Sequence, residues 1–334
     1  MVSNSRMKPR TASRPSSAAT GLHPRNRHQG RYDMEALCRA NPALRTHLVR
    51  TPAGEASIDF SAAAAVRELN RALLRHHYGI AHWDIPDGFL CPPVPGRVDY
   101  LHGLADLLAA DAGGEVPHGA QVRVLDIGVG ANVIYPLLGQ AEYGWSFVGS
   151  DIAPVSLQAA QANVTGNQLD GVIELRLQAN RGQLFKGLLA PDEHFALTLC
   201  NPPFHASADE AARGSQRKLR NLSGSAQVAA RGRPALNFGG QANELWCTGG
   251  EASFLRRMVA ESVDVAGQVL WFSSLVAKGE HLPALHRQLA KAGAVDVREV
   301  PMAQGSKQSR FVAWSFHDAA GRRAWWQQTA SAPA

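Results

Sequence analysis

Four consecutive residues, Asn201-Pro202-Pro203-Phe204, combine the groups needed to hold a planar aromatic amine. The lone pair of such an amine, as on adenine, is delocalised into the ring and becomes nucleophilic only when the nitrogen is drawn towards tetrahedral geometry. The Asn201 amide oxygen and the Pro202 carbonyl can each accept one N–H, and the prolines fix the turn. Phe204 offers a face for base stacking, worth roughly 1–3 kcal/mol. The pattern predicts a site that aims an amine at an electrophile, with positioning carrying most of the rate.

A glycine-rich turn with Gly128 and Gly130 follows Asp126, at the end of a run of β-prone residues. Glycines let the backbone approach a ligand closely where a strand of an open α/β sheet ends. The dinucleotide-binding fingerprint requires a third glycine, and the chain has Val133 in that place. The turn therefore favours a cofactor without a pyrophosphate, such as S-adenosylmethionine; a plain tight turn is the alternative.

An acidic residue, Asp151, ends the next β-prone run along the chain. A carboxylate in that place can accept hydrogen bonds from both ribose hydroxyls of a nucleoside cofactor. Because Pro154 follows at an early helical position, Asp151 can instead cap a helix, and the two roles can coexist. The histidines form no H-E-x-x-H pattern and the four cysteines have no common zinc spacing, so the sequence predicts no metal site.

The segments around these motifs alternate between short β-prone runs and helical stretches. Such alternation implies a mostly parallel sheet with helices on both faces. The predicted strands are 121–126, 145–150, 172–177, 194–200, 268–274, 294–301 and 309–317. Only a short link joins the last two, so one of them must run antiparallel. This α/β layout, a mostly parallel seven-stranded sheet that ends in an antiparallel hairpin, is the class I methyltransferase fold, which we predict over residues 113–318.

Residues 31–112 are predicted to form a helical N-terminal extension to this domain. Ser61 can cap one helix, and Gly79 can end it. A proline-rich turn at 91–96 then precedes a second helix, whose apolar residues share one face. The residues after the last strand, 319–334, are interpreted as a C-terminal tail.

Two segments are strongly basic in this chain of 334 residues and net charge +6. Residues 1–30 are predicted to be a disordered arm, because they cannot bury enough apolar surface to offset their ordering entropy. Arg25 and Arg27 in this arm are candidate RNA contacts, against the alternative of a solvated tail. Residues 205–245 form an insertion longer than a usual connection, as in functional or disordered loops. Its candidate RNA contacts, spaced mostly at helical steps, are Arg213, Arg217, Lys218 and Arg220.

The sequence contains no apolar run long enough to cross a bilayer, and its N-terminus lacks the apolar stretch of a secretory signal. The arm is rich in Arg and Ser, as transit peptides are, but Pro9, Pro15 and Pro24 would break an amphipathic helix. We therefore expect a cytoplasmic protein without a membrane partner.

Several stretches of the sequence closely resemble the bacterial 23S rRNA adenine-N6 methyltransferase F family. The chain is also more distantly similar to the eukaryotic U6 small nuclear RNA adenine methyltransferase. The matching stretches are 22–28, 84–95, 125–132, 201–205, 236–240 and 304–311. The resemblance implies a monomeric class I fold, S-adenosylmethionine as cofactor, and one target adenine in 23S rRNA, either naked or in an assembling large subunit.

The resemblance also implies roles for individual residues. Arg97 should reach the carboxylate of the cofactor, and Asn201 should hold the amine. Asn180 lies in a stretch that should flank the adenine of the cofactor. Together with the glycine turn, the predicted cofactor-binding residues are Arg97, Asp126, Gly128, Gly130, Asp151, Asn180 and Asn201. The predicted catalytic residues are Asn201, Pro202 and Phe204.

Three other functions stay open from the sequence. Enzymes that methylate a glutamine amide of translation release factors use the same N-P-P-F tetrad, and DNA adenine is a further substrate with the same amine. The basic arm and insertion weigh against a protein substrate. A non-catalytic ribosome-assembly factor on this scaffold is the fourth reading. The intact Asn201 and Asp151 argue against it, because a binding module would not need both.

Overall fold

The computed structural model describes residues 21–207, 209–210, 240–304 and 307–330. Its strands are β1 Leu48–Arg50, β2 Ala56–Ile58, β3 Arg123–Ile127, β4 Ser146–Asp151, β5 Ile173–Leu177, β6 Phe195–Cys200, β7 Val269–Leu275, β8 Asp296–Gln304 and β9 Lys307–Ser315. Its helices are α1 Met34–Ala40, α2 Ala63–Tyr78, α3 Val94–Asp111, α4 Ile134–Tyr143, α5 Pro154–Gly166, α6 Ala242–Leu245, α7 Gly250–Ser262, α8 Leu282–Ala292 and α9 Ala319–Ala330. Short 3-10 turns cover Pro42–His47 and Gly279–His281.

Seven of these strands form one sheet in the order β5-β4-β3-β6-β7-β9-β8. The first five are parallel, β9 runs antiparallel to β7, and β8 pairs antiparallel with β9. The predicted class I methyltransferase fold is therefore confirmed. The chain leaves β3 towards β4 on one side and returns to β6 on the other, so a crevice opens at the carboxyl ends of β3 and β6. Open α/β sheets bind their ligands at such a switch point.

The N-terminal helices pack directly on this sheet. The Tyr100 hydroxyl of α3 lies 2.7 Å from Ser273 Oγ on β7, in a fully buried contact. Residues of α2, α3 and the sheet, such as Leu73, Leu101 and Leu197, belong to one hydrophobic cluster. The packing consequently has no break at residue 112, where the sequence placed the end of an extension.

Two details of the helical segment differ from the sequence-based expectation. Gly79 ends α2 with φ of +69°, as predicted, but the helix begins after Ala62 without a side-chain cap. Ser61 is not the cap because it lies in the preceding turn, where its N–H donates to Asp59 Oδ1 at 2.8 Å. The β1–β2 hairpin was not predicted, since strands of three residues are too short to show alternation.

The prediction of a disordered arm over residues 1–30 is wrong for residues 21–30. Asn26 is buried, and its Nδ2 donates to the Pro95 carbonyl at 2.9 Å. Arg25 forms an ion pair with Asp106 at 2.7 Å. Arg27 likewise pairs with Glu142 of α4 at 3.0 Å. The positive charges of Arg25 and Arg27, which the sequence showed without partners, are therefore offset by carboxylates of α3 and α4. Residues 1–20 lie outside the described part of the chain.

The segment after β9 is also more than a tail, because α9 packs on the body of the protein. Arg322 of α9 is 4% exposed, and its guanidinium contacts Asp111 at 3.0 Å and Asp296 at 2.9 Å. Trp271 lies beneath the guanidinium at 4.7 Å and donates its indole N–H to Asp111. The end of the described chain is thereby fixed to α3 and β8. No helix in the described ranges is long and apolar enough to span a bilayer.

Candidate active site

A pocket of about 650 Å³ lies at the carboxyl ends of β3, β4 and β6. Gly128 and Gly130 form part of its wall, with φ of +79° and +63°, a region that favours glycine. The N–H groups of Gly128 and Val129 both donate to the Ser150 carbonyl at 2.9 Å. A Cβ built on Gly128 would meet no atom within 4 Å, so this glycine faces open space. The turn thus presents bare backbone to a ligand.

Asp151 closes the pocket beside this turn. The side chain is 6% exposed, and its Oδ2 accepts the Gly130 N–H at 3.0 Å. Its Oδ1 accepts the Ala153 N–H at 2.9 Å. Ala153 is the N-cap residue of α5, so Asp151 orders the turn before that helix rather than capping it. Burial raises the pKa of the carboxyl, against the backbone hydrogen bonds that lower it. Each oxygen keeps a lone pair for a ligand hydroxyl.

Asp126 lies behind the pocket wall, at 1% exposure. Neither of its carboxylate oxygens has a hydrogen-bond partner among the residues that the structure describes. Burial, and then the nearby Asp151, raise its pKa well above the ordinary value, while Arg97 opposes the shift. Burial without a hydrogen-bond partner therefore favours the uncharged form of this carboxyl, because the charged form carries the larger desolvation cost.

Arg97 extends from α3 into the same pocket. Its Nη1 donates to the Tyr135 hydroxyl at 2.8 Å, and the guanidinium lies 5.5 Å from the centre of that ring. No described carboxylate is within ion-pair distance of it, and its buried Nε has no partner in the described residues. A held but unpaired guanidinium is suited to a carboxylate ligand.

The tetrad after β6 divides between the pocket and its surroundings. Asn201 and Pro203 line the pocket, whereas Pro202 is buried and Phe204 half-buried outside its lining. The buried Asn201 Oδ1 has no hydrogen-bond partner among the described residues. A buried acceptor of this kind is costly unless a ligand satisfies it. Asn201 thus lies in the pocket, while its hold on an amine and the stacking role of Phe204 both stay predictions.

Residues 240–248, which include the last residues of the insertion and which we call the strap, close one side of the pocket. The Gly240 N–H donates to the Gly88 carbonyl at 2.8 Å. Glu244 Oε2 accepts the Gln241 N–H at 2.7 Å and the Leu90 N–H at 3.1 Å. Its buried Oε1 has no partner in the described chain, and burial raises its pKa. Glu244 and Trp246 both line the pocket.

The strap also fixes the ends of the insertion. The His205 N–H donates to the Leu245 carbonyl, and the Cys247 N–H donates to the His205 carbonyl, both at 3.1 Å. The insertion therefore leaves and rejoins the fold at one place beside the pocket. Sequence analysis missed Glu244 and Trp246 as site residues. The one available signal was that Glu244 is the first carboxylate after the long basic run.

The stretch after β5 reaches the pocket through a different residue from the one expected. Asn180 is exposed and does not line the pocket; its N–H donates to Gln178 Oε1 at 3.0 Å. Gln178 is the buried residue in the lining. Arg181, Arg256 and Arg257 complete this side of the pocket mouth and were also missed.

The predicted RNA contacts lie elsewhere. Arg25 and Arg27 do not line the pocket, and their guanidinium groups contact Asp106 at 2.7 Å and Glu142 at 3.0 Å. The four basic residues of the insertion, Arg213, Arg217, Lys218 and Arg220, lie outside the described residues. Their contact with RNA stays a prediction. The described ranges contain no group of His, Cys, Asp and Glu that could hold a metal ion.

Solved structures similar to this chain include RNA-bound and ligand-bound proteins. The hMettl16 catalytic domain in complex with the MAT2A 3′UTR hairpin 1 aligns with a TM-score of 0.74 and 29% identity, over 89% of this chain and 96% of that one. The N-terminal domain of human METTL16 in complex with SAH aligns with a TM-score of 0.69 and 27% identity, over 89% and 100% of the two chains.

The sequence relatives are closer. A ribosomal RNA large subunit methyltransferase F of Ectopseudomonas mendocina (strain ymp) is 61% identical over 322 residues, which cover 96% of each chain. That of Aeromonas salmonicida (strain A449) is 58% identical over 308 residues, 92% of this chain and 95% of the relative. A family described as RNA methyltransferase matches residues 16–318, a range that includes the glycine turn, Asp151 and the tetrad. The chain belongs to this RNA methyltransferase family.

Proposed function

We propose that this protein transfers the methyl group of S-adenosylmethionine to the N6 amine of one adenine in 23S rRNA. The observation that carries the proposal is the buried, unpartnered Asn201 Oδ1 in the pocket at the switch point of the sheet, considered among the described residues. The names of the relatives support ribosomal RNA of the large subunit as the substrate.

The residues of the pocket fit the proposed cofactor. Gly128 leaves space for a ligand beside the backbone, and Asp151 offers two buried carboxylate oxygens to ribose hydroxyls. Arg97 offers a guanidinium to the carboxylate of the amino-acid end. When bound, S-adenosylmethionine supplies a methyl group on a positively charged sulfur. A cation bound there would favour the charged forms of the Asp151 and Glu244 carboxyl groups, which line the pocket.

The residues of this chain would act mainly by positioning. Asn201 Oδ1 accepts one N–H of the amine, and the Pro202 carbonyl accepts the other, so that the nitrogen lone pair turns out of the ring plane. This contact strengthens as the nitrogen becomes tetrahedral, which lowers the barrier rather than only tightening binding. The amine proton is acidic once the nitrogen carries the methyl group, so water can remove it and no strong base is required.

The location, oligomeric state and RNA partner of the enzyme are part of the proposal. We place the enzyme in the cytoplasm as a monomer, with either naked 23S rRNA or an assembling large subunit as its partner. The basic sequence of the insertion supports a polyanionic substrate, as does the position of its two ends, which contact each other beside the pocket.

Methyl transfer from labelled cofactor tests the proposal directly. The protein is incubated with deproteinised 23S rRNA, large subunits, DNA or a release factor, and the labelled product is digested to nucleosides or amino acids. We expect label in N6-methyladenosine from rRNA or large subunits. Label in methylglutamine or in DNA would show that the proposed substrate is wrong. The absence of label with every acceptor would favour a non-catalytic ribosome-assembly factor.

A further inference from the structure

Three arginines, Arg181, Arg256 and Arg257, lie together on one side of the pocket mouth, and we call them the arginine rim. Arg181 follows β5, while the other two lie on α7. Arg257 Nη1 donates to the Arg181 carbonyl at 3.3 Å, so the helix and the loop are connected at this point. The rim is therefore built from two separate elements that meet beside the pocket.

The charge of the rim is not neutralised within the described part of the protein. No described carboxylate lies within ion-pair distance of Arg181, Arg256 or Arg257. Arg256 Nη2 donates only to Ser253 Oγ at 3.2 Å, and the Arg257 guanidinium lies 5.7 Å from the ring of Phe254. Arg181 and Arg256 are exposed. For contrast, guanidinium groups within 3.0 Å of a carboxylate occur at Arg25, Arg27, Arg123 and Arg176.

The rim does not suit the proposed cofactor. That ligand carries two positive groups, its sulfur and its ammonium, against one carboxylate, for which Arg97 is available. Further cations at the pocket mouth oppose such a ligand, since like charges raise each other's energy. An unpaired, exposed cluster of guanidinium groups instead matches phosphate, which each planar fork can bind through two N–H groups.

A polyanion must also reach this place if adenine is the substrate. A base that reacts on its exocyclic amine has to leave its stack and enter the pocket, while its backbone stays outside. The phosphates on either side of that nucleotide then lie at the mouth of the pocket. Asn201 lines the pocket that the base would enter, and the rim lies at the edge where the phosphates of the same nucleotide would remain.

We propose that the arginine rim binds the phosphates next to the target nucleotide. This inference rests on the proposed function. It assigns part of the contact with RNA to residues whose positions the structure describes. It differs from the predicted contacts of the insertion, because the rim is formed by α7 and the loop after β5.

The test compares three variants with the parent in RNA affinity at several salt concentrations. The rim variant is Arg181→Gln/Arg256→Gln/Arg257→Gln. The charge-matched control is Arg39→Gln/Arg45→Gln/Arg287→Gln, whose side chains are exposed and do not line the pocket. The third variant replaces the rim arginines by Lys. An RNA fragment that contains the target adenine is the probe, and S-adenosylhomocysteine affinity is measured in parallel.

We expect the rim variant to bind the fragment roughly a hundredfold more weakly at 0.1 M salt, with a log–log salt slope shallower by about 2, since each single-strand phosphate contact contributes roughly 0.7. The control should change the slope by less than about 0.7, and the Lys variant should restore most of it. The affinity for S-adenosylhomocysteine should be unchanged or higher in the rim variant.

Two results would overturn the inference. Equal slopes for rim variant and control would mean that the rim does not touch the backbone. A rim variant that loses cofactor affinity tenfold or more would assign the arginines to the cofactor instead. Failure of the proposed function is distinguishable, because the parent itself would then place no label in N6-methyladenosine.

Discussion

The pocket combines an acidic and a basic region, which differ in their exposure to solvent and therefore in their response to salt. Its floor consists of the buried Asp151 and, behind the wall, the buried Asp126. Desolvation governs the ionisation of both carboxyl groups, and backbone N–H donors also act on Asp151. Its edge is the arginine rim, exposed to solvent. Buried charges act at short range and are little affected by salt, whereas exposed charges are screened within about 8–10 Å. One pocket can therefore attract a small cation inwards and a polyanion to its mouth.

The comparison also separates rigid from variable parts of recognition. The floor follows from strands and tight turns, so its geometry is fixed by the sheet. The rim and the strap depend on α7 and on the segment that returns from the insertion. We therefore expect variants of the floor to change cofactor affinity at any salt concentration, and variants of the rim to change RNA affinity in a salt-dependent way.

The largest effect is expected at Asn201, which lies between the two regions. Asn201→Ala removes an acceptor whose bond strengthens as the nitrogen becomes tetrahedral, so single-turnover methylation should fall on the order of a hundredfold or more. Calorimetry should show nearly unchanged affinity for S-adenosylhomocysteine. If Asn201→Ala turned over at the parental rate, Asn201 would have no role in the mechanism. A parallel loss of cofactor affinity would mean that Asn201 acts as part of the cofactor site.

A smaller effect is expected at Asp151, within the floor. Asp151→Ala removes a carboxylate that both orders the glycine turn and can accept ribose hydroxyls, an interaction worth roughly 1.5–3 kcal/mol. The dissociation constant of the cofactor should rise about ten- to a hundredfold. Titrations at low and high salt should give the same ratio, unlike those of the rim.

The matched control for this prediction is Asp192→Ala, because Asp192 is exposed and outside the pocket. It should leave the cofactor affinity at the parental value. If Asp151→Ala bound the cofactor with the parental dissociation constant, the role of Asp151 would be limited to ordering the turn.

The smallest effect concerns the stability of the cofactor-free protein. Burial raises the pKa of Asp126 above its unfolded value, so its stabilising contribution is complete below the unfolded pKa of about 4 and is lost as the pH rises towards the folded pKa. Asp126→Asn should therefore unfold at a higher temperature than the parent at neutral pH, by roughly 1–2 °C per kcal/mol recovered.

The sign of this effect can be read from a pH series of thermal unfolding. The difference between Asp126→Asn and the parent should be close to zero near pH 4 and should grow as the pH rises. A difference that does not depend on pH would mean that Asp126 has the same pKa in the folded and the unfolded protein, which would contradict the upward shift. The variant should also bind the cofactor more weakly, opposite to its gain in stability.

Sequence reasoning located the parts of the site that depend on local patterns. Gly128, Asp151 and Asn201 each follow a strand, and the carboxyl ends of neighbouring parallel strands meet at one edge of a sheet. Those positions could be predicted because alternation of strands and helices fixes the sheet.

The remaining parts depend on contacts between distant segments. Glu244 enters the pocket only because the chain returns from a long insertion and bonds Leu90. The rim exists because α7 meets the loop after β5, and a sequence shows Arg256 and Arg257 simply as polar residues of a helix. Gln178 and Asn180 lie two positions apart in an irregular turn. No periodic pattern in the sequence shows which of the two side chains lines the pocket.

The packing of α9 has a consequence for the time at which this protein can complete its fold. Arg322 supplies the guanidinium for Asp111, a residue made 211 positions earlier, and it lies just beyond the residues matched by the family. Every strand of the sheet precedes Arg322 in the chain, so residue 322 is synthesised after all of them. The carboxylates of Asp111 and Asp296 therefore receive this guanidinium only after the residues of the sheet have been made. The order of synthesis thus places the closure of this end of the core after the assembly of its strands.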